Sequence, residues 1–156
     1  MRAMKELLTP LIVLAASLLL PCGCADVGAI AVTGLHIEVT AIELETDSTV
    51  SVAWQVVNPN VGSYLVASVT NKIYLNGTLV GTVVTKDPTG LPSQGSATKN
   101  GKLTPAGPAA DRLLREAAGH GPVNYRVDSL LVIQMFGDDT SKGQLTHSGS
   151  VTVVSK

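Results

Sequence analysis

Aromatic side chains are scarce in this 156-residue chain: one Trp, three Tyr and one Phe, 3% in all. Its core must be built from Val, Leu, Ile and Ala. Charge is scarce as well. Charged residues make up 15%, against roughly 25% in an ordinary soluble domain, and the formal charge is −1. A near-neutral chain has no basic footprint for nucleic acid. With 45% hydrophobic residues it is too apolar for a solvated tail. Two cysteines, Cys22 and Cys24, are too few for a disulfide framework. The three histidines, His36, His120 and His147, lie on separate elements without metal-ligand spacing. Neither a Gly-x-Ser-x-Gly elbow nor a His-Glu-x-x-His pair occurs. The stretch from Gly95 to Leu103 has five residues between Gly95 and Gly101 where a phosphate loop has four, and Leu103 stands where a Ser or Thr would bind magnesium. Asp138 and Asp139 share a polar turn that lacks a full calcium ligand set.

What is present begins with an export segment. Arg2 and Lys5 precede an apolar run from Leu11 to Leu20, followed by Pro21-Cys22-Gly23-Cys24. A basic start, a short apolar run and small residues describe a secretory signal over residues 1–23. The run is too short for a membrane span, which needs about 20 apolar residues. A cysteine placed just after such a run resembles the lipobox of a bacterial lipoprotein, in which cleavage precedes a lipid-bearing Cys. Cys24 has Gly23 beside the cut, whereas Cys22 has Pro21 there. Cys24 is therefore the expected lipidation site and Cys22 the alternative. Residues 24–31 would be a short tether and residues 32–156 the folded domain.

That domain reads as strands. Leu35, Ile37 and Val39 alternate with His36, Glu38 and Thr40, and a phase slip near Ala41 predicts a bulge. Val50, Val52, Trp54 and Val56 share one face of the next strand, which ends at Asn58-Pro59-Asn60. Pro59 has no amide hydrogen, and both Asn side chains can bond nearby backbone. Asn76-Gly77 separates two apolar runs and predicts a type I′ hairpin turn. Asn76-Gly77-Thr78 also matches a glycosylation sequon, which we read as the turn. Residues 86–95 read as loop, and the polar stretch from Ser96 to Thr104 as an edge strand. A helix is expected from Pro108 to Ala118, with an Asp111–Arg115 pair at i,i+4 and stops at Gly119 and Gly121. Val123, Tyr125 and Val127 alternate, Leu130 to Met135 suits a central strand, and Leu145 to Val154 is the last. About seven strands, short turns and one short helix predict a mainly β, antiparallel β-sandwich.

From about Val32 to Val153 the chain resembles the water-stress and hypersensitive-response (WHy) domain of the group-two late embryogenesis abundant (LEA type 2) proteins. The features occur in the family's order. Asn58-Pro59-Asn60 follows the strand with Trp54. Ile73-Tyr74-Leu75-Asn76-Gly77 precedes Leu79-Val80-Gly81. Leu91-Pro92 comes before a polar strand and a helix. Val123-Asn124-Tyr125-Arg126-Val127 follows, and Ser148-Gly149-Ser150-Val151 comes last. The resemblance implies a fibronectin type III/immunoglobulin-like sandwich in which Asn58, Pro59, Asn60, Asn76, Gly77 and Tyr125 are structural. It also implies a non-enzymatic role in desiccation or water-stress tolerance, without cofactor or metal. Joined to the lipobox, it predicts a protective domain tethered by lipid to the bacterial cell envelope, with membrane and client proteins as partners. Ala25 and Asp26 favour the outer membrane, because Asp26 is one place too late for an inner-membrane retention signal. The alternative is a structural or accessory lipoprotein of an envelope or export assembly. One arrangement would point to chemistry instead: His36 and His147 brought together by the first and last strands, joined by a carboxylate in a pocket.

Overall fold

The computed structural model describes residues 32–46, 49–135 and 138–156. The expected signal, tether and both cysteines lie outside them. In chain order the elements are β1 (His36–Leu44), β2 (Val50–Asn58), β3 (Tyr64–Leu75), β4 (Thr78–Thr85), β5 (Thr89–Leu91), β6 (Gly95–Pro105), α1 (Pro108–Ala117), β7 (Pro122–Gln134) and β8 (Thr140–Ser155).

Seven strands run β4-β6-β2-β1-β8-β7-β3, and β3 pairs again with β4, so the sheet closes into a barrel. The short β5 joins β3 alongside. The expected fibronectin-like sandwich is thus corrected to a seven-strand β-barrel. A sandwich keeps two sheets apart and packs them face to face; here hydrogen-bonded ladders bridge both seams. At one seam β1 pairs in parallel with β8, Ile42–Leu44 against Val153–Ser155. At the other, Gly81–Val83 of β4 pairs with Leu103–Pro105 of β6. Bulges at Thr40 in β1 and Ala67 in β3 add the local bend that closure requires.

The second seam depends on missing side chains. A Cβ at Gly81 would lie 2.5 Å from the Thr104 carbonyl oxygen and 2.7 Å from Leu103 Cγ. A Cβ at Gly101 would overlap Val83 Cγ1. These glycines let the two strands meet.

Alternation predicts the inner faces well. Ile37, Val39, Ile42 and Leu44 of β1 are buried, as are Val50, Val52, Trp54 and Val56 of β2. The slip near Ala41 is the bulge at Thr40. Asn76 and Gly77 have φ of 48° and 82°, the left-handed values of a type I′ turn. The polar segment expected as an edge is instead enclosed: β6 lies between β2 and β4. Its inward positions are mostly small (Gly95, Ala97 and Gly101), so its alternation is nearly invisible to hydropathy. Within the expected loop of residues 86–95 the chain forms β5, too short to show a period. Helix α1 turns Ala110, Leu114 and Ala117 inward, and Arg115 forks onto Asp111 at 3.0 and 3.3 Å. It packs chiefly against β4, β8 and β6, closing one end of the barrel. At the other end lie the β2–β3 loop, the β5–β6 turn and the entering residues 32–35.

Gly81→Ala should destabilise the protein by about 1–3 kcal/mol, because a methyl group there must displace backbone. Gly90→Ala, whose Cβ would have nothing within 4 Å, should be close to neutral. Urea unfolding of the two variants against the parent measures both. Equal effects would mean that seam crowding is not what closes the barrel.

Candidate functional site

Asn58, Pro59 and Asn60 stand at the end of the barrel away from α1, and Tyr125, His36 and His147 along the β1–β8 seam. Asn58 is fully buried at the end of β2. Its Nδ2 donates to the carbonyls of Gly62 and Pro92, both at 2.8 Å, and its Oδ1 accepts from the Asn60 amide at 3.0 Å. The last bond is the Asx turn that the Asn-Pro-Asn order suggests. The bond to Gly62 closes the β2–β3 loop, and the bond to Pro92, 34 residues away, joins that loop to the β5–β6 turn. Asn60 continues the network: its Nδ2 donates to the Thr33 carbonyl at 2.9 Å, and its own carbonyl accepts from the Gln94 amide at 2.9 Å. One short motif therefore holds three separate segments.

Tyr125 lies on β7 and is buried. Its hydroxyl accepts from the Val39 amide of β1 at 3.1 Å. To arrive there the ring lies over Gly149 of β8, where a Cβ would approach ring carbons to 2.9 Å. This bond spans the stretch where β1 and β8 share no ladder, since their pairing is confined to the last three residues of β1. Burial pushes the Tyr125 hydroxyl above the ordinary tyrosine value, partly opposed by the Val39 amide. Asn76 and Gly77 lie at the opposite end of the barrel, in the β3–β4 turn; the Asn76 amide donates to the Asn124 carbonyl at 2.9 Å. The motif residues thus serve two ends and one seam.

His36 and His147 are brought together. Their rings stack with centroids 5.6 Å apart across the β1–β8 seam, and His147 also tilts against Tyr125 at 6.2 Å. Glu38 lies 3.2 Å from His36 Nε2 and accepts from Gln55 Nε2 at 2.6 Å. The Gln55 bond leads the causes that hold the Glu38 carboxyl below its usual value, with burial opposing it and His36 assisting. The chain order hides this meeting, but parallel pairing of the first and last strands places the two imidazoles side by side. Among the described residues, no group of three or more His, Cys, Asp or Glu side chains is arranged to hold a metal ion. His120 stands apart, beyond α1, with Nδ1 3.3 Å from the Ala118 carbonyl. Asp138 and Asp139 are in the β7–β8 turn, where the Asp139 carbonyl accepts from the Met135 amide.

Trp54, which the alternation of β2 places in the core, is indeed there. It is buried, yet its Nε1 has no hydrogen-bond partner among the described residues. Its ring lines a small void of about 10 Å³ beneath residues 85–91, together with Val56, Val69, Leu91 and Ala97. That is about the space of one water molecule.

No family model matches this chain, and no curated protein does. Several solved structures are similar to it. A solution structure from Arabidopsis thaliana is 13% identical, covers 78% of this chain and 79% of its own, and superposes with a TM-score of 0.50. A protein from Archaeoglobus fulgidus is 17% identical over 76% of this chain and 94% of its own, with a TM-score of 0.46. A third, provisionally described as a late embryogenesis abundant (LEA) protein, is 15% identical over 95% of this chain and 89% of its own, also with a TM-score of 0.46.

Two expectations follow from the geometry. Asn58→Ala removes three bonds from a buried position and should cost about 2–3 kcal/mol, whereas Asn60→Ala, whose side-chain bond is exposed, should cost at most about 1 kcal/mol. Thermal unfolding of the pair tests the ranking. For Tyr125 the sign is that of a group whose proton is held more tightly in the folded state. Stability is full below the unfolded tyrosine value near 10 and declines as pH rises past it. Tyr125→Phe should lose this alkaline component, as read by unfolding at a series of pH values.

Proposed function

We propose that this chain is a non-enzymatic stress-protection domain of LEA type 2 kind, held to the bacterial cell envelope by lipid on Cys24. The observation that carries the reading is the use made of the family-like motifs. Asn58-Pro59-Asn60 staples three segments, Asn76-Gly77 makes the β3–β4 turn, and Tyr125 bridges β1 to β7. Residues spaced across the chain in the family's order thus meet as the framework of one fold. The fold shared with the Arabidopsis structure is consistent with this reading. Many ionisable side chains support it too, because they pair on the outer surface: Lys156 with Glu43 and Glu45, Arg115 with Asp111, and Arg126 with Asp128. Acid–base chemistry would need such groups gathered in a cleft with shifted protonation.

The protective action is assigned to surfaces rather than to a pocket. Client proteins or a membrane surface are the partners, and the lipid keeps the domain beside them. The experiment has two arms. Labelled fatty acid should appear on the parent and vanish from Cys24→Ala; label that persists would move the anchor to Cys22. The purified protein should suppress aggregation of a drying-sensitive enzyme in proportion to its concentration, with Asn60→Ala retaining the effect. Labelled protein that protects nothing would favour the accessory-lipoprotein reading.

A further inference from the structure

The outer surface of the barrel is not uniform. Of the six large apolar side chains exposed among the described residues, four lie on three adjacent strands: Leu65 of β3, Leu79 and Val84 of β4, and Leu130 of β7. Register places Val84 and Leu130 in one row. Val84 is opposite Thr70, which is opposite Leu130, which is opposite Gln144 of β8. The neighbouring row is Lys72, Asp128 and Thr146, and the row after it is Tyr74, Arg126 and Ser148. A shallow groove of about 560 Å³ runs across this face.

The charges on this face are sorted. Asp128, its single carboxylate on these strands, is occupied by Arg126 at 3.1 Å and by the Thr146 hydroxyl at 3.1 Å. Arg126 is fixed further by lying 4.0 Å over the Tyr74 ring. Lys72 and the β8 residue Lys142 enter no ion pair among the described residues, and both are exposed. The opposite side of the barrel carries Glu38 and Glu43 on β1 and Glu45 just beyond it. The β3–β7 side is therefore apolar and cationic, whereas the opposite side mixes both signs, with Lys99 and Lys102 on β6 and Lys156 paired with Glu43 and Glu45.

The chain also enters the barrel beside this face. Val32 packs onto Gly143, in space that a Cβ would fill, next to Lys142. The hollow at this entry, lined by Val32, Leu35 and Lys142, shares Leu130, Gln144 and Leu145 with the groove. From Cys24 to Val32 there are eight residues, which extend at most about 28 Å. A lipid on Cys24 would hold the barrel within that distance of a bilayer, with the apolar, cationic face next to the tether.

We propose that the outer face of β4, β3, β7 and β8 is a docking surface for an anionic phospholipid bilayer, with Leu130 and Val84 at the interface and Lys72 and Lys142 against the headgroups. This rests on the lipid-anchor reading above. Each lysine near such a surface contributes about a fivefold preference for the docked state. Exposed apolar side chains in the row add contact that headgroup charge alone does not supply.

The test uses the lipid-bearing chain, which has no free thiol if Cys24 carries the lipid. Leu130→Cys, Val84→Cys and, on the opposite face, Ala53→Cys each carry a polarity-sensitive dye. The proteins are reconstituted in vesicles of phosphatidylethanolamine with phosphatidylglycerol, or of phosphatidylcholine alone. Dye at 130 and 84 should shift to the blue in the anionic vesicles, and dye at 53 should not. Adding Lys72→Gln and Lys142→Gln should lower the docked-to-free ratio about thirtyfold while leaving the melting temperature unchanged. Equal responses at all three positions, or equal responses in both vesicles, overturn the docking face while leaving the anchor intact. A shift caused by a soluble acidic protein without vesicles overturns it in favour of a protein partner. If the chain carries no lipid, the anchor reading fails by itself. The same labels on chain added to anionic vesicles from solution then decide the face: a shift at 130 and 84 alone sustains it, and its absence ends it.

Discussion

The close approach of β4 and β6 is the constraint on which the rest of this structure depends. A barrel with one tryptophan and short aliphatic side chains has little large apolar surface with which to clamp two separate sheets. It joins them instead through backbone hydrogen bonds, and backbone can pair only where side chains stand aside. Gly81 and Gly101 provide that clearance at one seam. At the other, β1 and β8 pair over three residues, and the rest of the seam is crossed by Tyr125 and covered by the His36–His147 stack.

The ends of the barrel use different chemistry. Helix α1 closes one with Ala110, Leu114 and Ala117. The other is held by polar groups centred on Asn58, whose burial is tolerable because both of its side-chain polar atoms have partners. A buried amide with fixed partners specifies geometry more sharply than an aliphatic side chain does, since bond directions as well as volume must match. The loops it holds lie beside the entry of the chain at residues 32–35. The framework on which the functional reading rests therefore adjoins the first described residues of the chain.

The outer surface repeats the division. On the β1 side, carboxylates are matched by Lys156, Gln55 and His36. On the β3–β7 side, apolar side chains share the surface with two lysines outside any ion pair among the described residues. Sheets with one solvated face commonly alternate apolar inside with polar outside. The outward Leu65, Leu79, Val84 and Leu130 depart from that rule together, on adjacent strands. A surface for a partner that is both apolar and anionic accounts for the departure.

Local pattern alone was enough for the strand periods, a bulge near Ala41, the Asn76-Gly77 turn and the helix with its Asp111–Arg115 pair. These depend on residues within a few positions of one another, where local conformational preference and alternation act. The sequence also pointed to Asn58 and Tyr125. It did not determine closure. A polar segment with small inward residues reads like an edge strand, and β6 is enclosed only because β4 reaches it across a hairpin and a loop. Nor could alternation show that β1 and β8 run parallel and bring His36 beside His147, 111 residues apart in the chain. Strand period tells which face of a strand is buried and says nothing of which strand lies beside it. That choice rests on clearance at Gly81, Gly101 and Gly149 and on bonds from Asn58 and Tyr125 to distant backbone. Such terms acquire an energy only when the whole chain is in place.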